Sequence, residues 1–280
     1  MKELGYYNGR IGELNEMMVP MNDRACWFGD GVYEAGMCRN YHVFTLDEHV
    51  NRLYRSASML EIQIPVSKQE LKDLLNSLVL KMDTGNLLVY CQVTRGGGPR
   101  SHAFPDGPAN LWITLRPKEL NPDMEPVSLI TGEDTRFFHC NIKTLNLIPS
   151  VMANEKARRA GCYEHVFYRP GGRITECSHS NVHIIKDGVF YTAPLDNLIL
   201  PGIARAHLIS ACCRLGIPVH ETPYLLEDLM NADEIITSSS TAPCVRACRV
   251  DGKDAGMKRP DLYNALHEAI FNEYYKETND

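Results

Sequence analysis

Asn141-Ile142-Lys143-Thr144-Leu145-Asn146 stands just ahead of a helical stretch, and Thr175-Glu176-Cys177-Ser178-His179-Ser180-Asn181 follows further along the chain. A lysine amine can condense with an aldehyde, and a carboxylate can hold a pyridine nitrogen protonated. Lys143 and Glu176 are therefore the minimal pair for pyridoxal phosphate chemistry. Ile142, Thr144 and Leu145 are apolar or neutral neighbours of the lysine. Such neighbours strip hydration from an amine and favour its neutral, nucleophilic form. Small polar residues ring Glu176. Singly, each residue has a bland reading, because most lysines and glutamates are simply exposed.

Working outward, the helix after Lys143 runs from about Leu147 to Ala160, with Gly161 at its C-terminal end. Val182–Ile185 and Val189–Thr192 flank Asp187-Gly188, a hairpin signal, and Tyr6–Ile11 carries Asn8-Gly9 in the same role. Gly31–Ala35, Leu87–Thr94, Leu111–Leu115, Val127–Thr131 and Glu234–Thr237 read as strands. Thr45-x-x-Glu48 and Ser67-x-x-Glu70 read as capping boxes opening two helices. Leu200-Pro201-Gly202 leads into a helix over Ile203–Leu215, and a last helix runs from about Pro260 to Tyr275. Strands and helices mix without strict βαβ alternation, which argues against a doubly wound parallel sheet. The polar, proline-bounded stretch from Pro117 to Pro126 is the candidate linker. It sets an N-terminal α/β domain at 1–118, a linker at 119–125 and a C-terminal cofactor-binding domain at 126–280.

The 280 residues are 44% hydrophobic and 23% charged, an ordinary globular composition. The net charge of −6 leaves no basic excess for nucleic acid. No run reaches the roughly 18 apolar residues of a membrane span. The ten cysteines include no Cys-x-x-Cys pair, so they read as reduced thiols of a cytoplasmic protein rather than as a metal site.

Phosphate ligands belong at a helix N-terminus. Ile203 and Ala204 after Gly202 offer backbone N–H groups, Ser239, Ser240 and Thr241 after a strand offer hydroxyls, and Arg52 offers charge. The loop Arg95-Gly96-Gly97-Gly98-Pro99-Arg100-Ser101-His102 lacks the Gly-Lys-Ser/Thr ending of a P-loop. Its Arg100 and His102 suit carboxylate capture instead. His139-Cys140 is no catalytic pair by adjacency alone, and Ser238–Thr241 has no Gly-x-Ser-x-Gly frame.

The motifs occur in a telling order: Gly29-Asp30-Gly31-Val32-Tyr33-Glu34, His49-x-x-Arg52-Leu53, Lys143-Thr144-Leu145-Asn146, Thr175-Glu176-x-Ser178-x-Ser180-Asn181 and Leu200-Pro201-Gly202-Ile203. From Tyr6 to Ile270 the chain resembles the class IV aminotransferases, the fold-type IV pyridoxal phosphate enzymes. The resemblance implies a mixed α/β (α+β) fold of two domains, with the cofactor in the interdomain cleft. Lys143 matches the family's Schiff-base lysine and Glu176 its pyridine-nitrogen carboxylate. Arg52, the Ile203 and Ala204 amides, Ser239 and Ser240 match its phosphate contacts.

Within the family, Gln92–Gly96 followed by Pro99–His102 is most similar to the D-amino-acid transaminase branch. That likeness implies transamination between a D-amino acid such as D-alanine and a 2-oxo acid such as 2-oxoglutarate. It also implies a carboxylate trap of Tyr33 with Arg100 and His102, the latter two reaching the site from the other subunit of a homodimer. The L-branched-chain aminotransferases and the aminodeoxychorismate lyases are the alternatives within the family. Three positions depart from its usual pattern. Ala204 stands for a threonine, which implies weaker cofactor retention; Cys177 stands for a glycine and His179 for a serine, both expected near the cofactor ring.

Overall fold

A computed structural model describes residues 1–279, and the chain divides into two compact units. The first comprises Met1–Leu120, Ile142–Asn146 and the chain's end from Tyr274; the second comprises Asn121–Asn141 and Leu147–Glu273.

In the first unit the strands are β1 (Leu4–Tyr7), β2 (Arg10–Glu13), β3 (Gly31–Arg39), β4 (His42–Val43), β5 (Leu87–Thr94) and β6 (Asn110–Pro117). The helices are α1 (Arg24–Phe28), α2 (Leu46–Met59) and α3 (Lys68–Val79). The six strands form one antiparallel sheet in the order β2-β1-β6-β5-β3-β4. Asn8 (φ 45°) and Gly9 (φ 93°) are both left-handed, as a tight turn between β1 and β2 demands. Leu53 and Ala57 of α2 and Leu71, Leu75 and Leu78 of α3 share a buried cluster with Val32, Leu87, Val89 and Ile113 of the sheet. Trimming one such leucine to alanine costs roughly 2–5 kcal/mol.

Side chains alternate along β3. Val32 and Glu34 are buried, whereas Tyr33 and Ala35 are only partly covered. The segment carrying Lys143 lies along the same strand. Tyr33 N donates to Lys143 O (3.0 Å), Leu145 N donates to Gly31 O (3.1 Å), and Val32 pairs with Thr144. Backbone pairing thus places Lys143 in the first unit, whereas the composition-based division puts the whole of 126–280 together.

Ser67 forms the capping box: its Oγ accepts from Glu70 N, and Glu70 accepts from Ser67 N (2.7 Å). Thr45 does not. It is left-handed (φ 50°) with no side-chain cap bond, and its N–H donates to Glu277 Oε1 (2.7 Å). A carboxylate remote in sequence does what Glu48 was expected to do, which short-range spacing cannot reveal.

In the second unit the strands are β7 (Val127–Glu133), β8 (Glu164–Arg169), β9 (Arg173–Cys177), β10 (Asn181–Lys186), β11 (Val189–Thr192), β12 (Val219–Glu221), β13 (Glu234–Ser239), β14 (Ala242–Val250) and β15 (Lys253–Asp254). Its helices are α4 (Ile148–Arg159), α5 (Ile203–Arg214) and α6 (Leu226–Asn231), and α7 (Pro260–Glu277) runs on into the first unit's terminal segment. The sheet order is β12-β11-β10-β13-β14-β7-β8-β9, with β15 against β14. Among the described residues only β11–β12, β14–β7 and β7–β8 pair in parallel, so the sheet is mixed and not doubly wound. Two buried clusters cover it, one around Val166, Ile184 and Ile235, the other joining Leu208 and Cys212 of α5 to Ile236 and Leu266. Among the described residues, all ten cysteines are free and no helix is long and apolar enough to cross a membrane.

Candidate active site

Lys143 is half-buried, and its Nζ lies 4.5 Å from the centroid of the Tyr33 ring. Tyr33 in turn stacks on Tyr90 at 5.5 Å, and Tyr90 Oη donates to Gln92 Oε1 at 2.6 Å. Ser56 Oγ accepts from Lys143 N at 3.2 Å, which ties the lysine backbone to α2.

On the other face of β3, Glu34 binds two side chains of α2. Arg52 donates from Nε and Nη2 to the two Glu34 oxygens, each at 2.7 Å, and His49 Nδ1 lies 2.7 Å from Oε2. Burial alone would raise the Glu34 carboxyl. The Arg52 guanidinium and then His49 outweigh it, and hold the acid down at about 2. The planar fork of Arg52 is thereby fixed in orientation.

Arg100 and His102 lie in an exposed loop and meet at Phe28. The Arg100 guanidinium sits 5.4 Å from the Phe28 centroid, and the His102 ring lies 5.4 Å from it at 38°. The Tyr33 ring meets Lys143 and Tyr90.

In the second unit Glu176 is buried at the end of β9. Its Oε2 accepts from Asn181 Nδ2 (3.0 Å) and Leu200 N (2.9 Å), and its Oε1 accepts from Arg136 Nη1. Burial pushes the carboxyl upward, while Arg136 and the Leu200 amide pull it back. Arg136 also donates to Asp134 Oδ2 (2.9 Å) and Leu198 O (3.2 Å), and lies 4.5 Å over the Phe167 ring. Two carboxylates hold this guanidinium charged although it is largely desolvated.

The turn after Glu176 is built around Glu164, a fully buried carboxylate on β8. It accepts from Ser178 Oγ (2.9 Å), His179 N (2.7 Å) and Ser180 Oγ. Successive strand residues face opposite ways, and Cys177 is buried in the apolar cluster with Val166 and Ile184. The His179 side chain is half-exposed, with Nδ1 3.3 Å from Glu164.

Asn181 gathers the remaining candidates of this unit. It faces Ser238 across β10 and β13, and its Nδ2 donates both to Glu176 and to Leu200 O (3.1 Å). Gly202 packs on its Oδ1 so closely that any Cβ there would clash with it. Gly202 is the N-cap of α5 and makes no side-chain cap bond, so no cap side chain occupies the first amides at Ile203 and Ala204. Arg205 is not turned to that end: it is buried, donating to Thr192 Oγ1, Ala193 O and Glu221. Ser239 ends β13 and Ser240 with Thr241 forms the tight turn into β14, where Ser239 Oγ lies 3.4 Å from Thr241 Oγ1. His183 braces that turn, with Nε2 2.8 Å from Ser238 Oγ; burial and Arg205 push its pKa down to about 3, so it is neutral.

These donors fit a phosphorylated pyridine. An uncapped helix N-terminus and two hydroxyls suit the phosphate, and Glu176 suits a ring nitrogen. Sequence reading missed Arg136, the linking role of Asn181, the Glu34–His49 support of Arg52, and Phe28. Glu34 and Asn181 stand inside the quoted motifs; Arg136 carries no local signal.

The family model for class IV aminotransferases matches residues 31–250. The D-alanine aminotransferase of Listeria innocua is 42% identical over 275 residues, covering 95% of this chain and 94% of the relative. The crystal structure of an Escherichia coli branched-chain amino acid aminotransferase superposes with a TM-score of 0.90 at 24% identity, covering 100% of this chain and 97% of that one. A T.th. branched-chain amino acid aminotransferase, solved with pyridoxamine 5'-phosphate, gives 0.87 at 23% identity, covering 98% and 94%.

Proposed function

Because the chain belongs to the class IV aminotransferases, a pyridoxal phosphate family, we propose that it moves the amino group of D-alanine to 2-oxoglutarate, giving pyruvate and D-glutamate. The observation that carries the D-specific part is the meeting of Arg100 and His102 on the Phe28 ring. The naming of the Listeria relative supports the same donor.

Bound pyridoxal phosphate supplies an aldehyde that captures the amino group and a ring that accepts the electrons left at Cα. The chain's own residues do the rest. Lys143 Nζ is the attachment point, and afterwards the base that takes the Cα proton and delivers it to C4′. Glu176 keeps a proton on the ring nitrogen, and Arg136, Asn181 and the Leu200 amide keep Glu176 in place. Arg52, the Ile203 and Ala204 amides, Ser239 and Ser240 hold the phosphate. Arg100 and His102 bind the substrate carboxylate together with Tyr33, and so decide which face of Cα Lys143 meets.

The same reading makes the enzyme a cytoplasmic homodimer whose sites are completed by Arg100 and His102 of the second copy. Phe137, Phe138, Ile148, Val151 and Met152 support a second copy as the partner, being 55–73% exposed although large and apolar.

An amino-donor panel with 2-oxoglutarate tests the donor. Turnover of D-alanine and none of L-leucine is expected. Turnover of L-leucine alone overturns the D-specific reading in favour of a branched-chain one. Release of pyruvate from aminodeoxychorismate without transfer to an oxo acid would make the chain a lyase. Borohydride treatment followed by peptide mapping is expected to fix the cofactor on Lys143.

A further inference from the structure

The loop carrying Arg100 and His102 is exposed and has no regular secondary structure. A loop that captures a carboxylate must nonetheless hold its donors to within about half an ångström. Something outside the loop must fix it, and the contacts that do so converge on a buried arginine that motif reading passes over.

Arg24 opens α1 and is only 4% exposed. Its Nη1 donates to Ser101 O (2.5 Å) and Ala103 O (3.1 Å), the carbonyls either side of His102 in the chain. Its Nε donates to Asp30 Oδ2 (2.7 Å), and its guanidinium lies 4.8 Å from the Phe28 ring that Arg100 and His102 also meet. Asp30 is shared. Arg95 donates to it from Nε (2.9 and 3.1 Å), and stacks on Phe104 at 3.6 Å. Arg24 N donates to Gly96 O (3.0 Å) and Gly98 N donates to Asn22 O (3.1 Å), which pins the loop's base to the same segment.

We propose that Arg24 is a positioning residue for substrate carboxylate binding, acting through the loop. Its fork fixes the backbone on both sides of His102, and its face on Phe28 shares the platform on which Arg100 lies. Asp30 fixes the fork from the other side. The proposal rests on Arg100 and His102 being the carboxylate trap.

Arg24→Lys is the informative variant, because a lysine keeps the charge and loses the fork. Arg24→Ala removes both. For each, KM and kcat are measured with D-alanine and 2-oxoglutarate on cofactor-loaded enzyme, beside Arg100→Ala and the double variant Arg24→Lys/Arg100→Ala. The expected result is KM raised about tenfold or more for both substrates in Arg24→Lys, with kcat changed less than about threefold and the cofactor absorbance unaltered. The double variant is expected to lose less than the product of the two single losses, because Arg24 and Arg100 share the Phe28 platform while the part of Arg24 that acts through His102 remains. Should Arg24→Ala fold poorly, Arg24→Lys alone decides. A wild-type KM in Arg24→Lys while Arg100→Ala is impaired overturns the inference and leaves the trap standing. So does a double variant whose losses multiply. A wild-type KM in Arg100→Ala overturns the trap itself.

Discussion

Asn181 donates from Nδ2 to Glu176 Oε2 at 3.0 Å, five residues on and across the turn that joins β9 to β10. The same amide donates to Leu200 O, and its oxygen lies against Gly202. One side chain therefore sets the distance between the Glu176 carboxylate and the uncapped start of α5. Losing a hydrogen bond to a buried charged group costs about 1.5–3 kcal/mol. Asn181→Ala is expected to weaken pyridoxal phosphate binding by roughly ten- to a hundredfold. Equilibrium titration of the apoenzyme, followed by cofactor absorbance, measures this; an unchanged Kd would remove Asn181 from the cofactor site.

Gly202→Ala is expected to act at the same point from the opposite side. Its Cβ would clash with Asn181 Oδ1, so either the asparagine turns away from Glu176 or the start of α5 moves. Overpacking of this kind costs typically 1–3 kcal/mol. We expect cofactor affinity to fall about tenfold, with a smaller loss in thermal stability than a core leucine-to-alanine change gives. The two losses are expected not to add in Asn181→Ala/Gly202→Ala, since the alanine at 181 removes the atom that the new Cβ meets.

Glu34 gives the first unit an acid dependence. Its carboxyl sits at about 2 in the fold against an ordinary value of 4.5, because Arg52 and His49 outweigh burial. A depressed folded-state value means stability that is fully present above the ordinary value and lost as pH falls from about 5 toward 2. The linked contribution is about 3 kcal/mol at neutral pH. Denaturant melts of wild type and Glu34→Gln are expected to differ most at pH 7 and to draw together as pH drops below 4. Parallel curves would show that Glu34 does not titrate with folding.

Much of this architecture is legible in the chain because it is local. Asn8-Gly9 and Asp187-Gly188 impose left-handed turns, and Ser67 with Glu70 closes a helix start within one turn. What was not legible depends on partners distant in sequence. Glu277 takes the N–H of Thr45, Arg136 reaches Glu176, and Arg24 reaches Ser101 and Ala103.

Ile148, Val151 and Met152 recur at helical spacing on α4 and are 73%, 55% and 58% exposed, with Phe137 and Phe138 exposed in the same unit. A monomer gains nothing from leaving such a stripe in water, at roughly 25 cal/mol per Å² of apolar surface. If a second copy covers it, charge placed there must open the pair. Glutamate is the mild choice, since it suits the first turn of a helix at 148 and is a good helix former at 152. Ile148→Glu/Met152→Glu is therefore expected to keep its helical content and convert a dimer to a monomer by sedimentation. Activity should fall with the dimer fraction, because Arg100 and His102 of the second copy would be missing from each site. A variant that stays dimeric places the interface elsewhere. A monomer with full activity shows that one chain completes its own carboxylate trap.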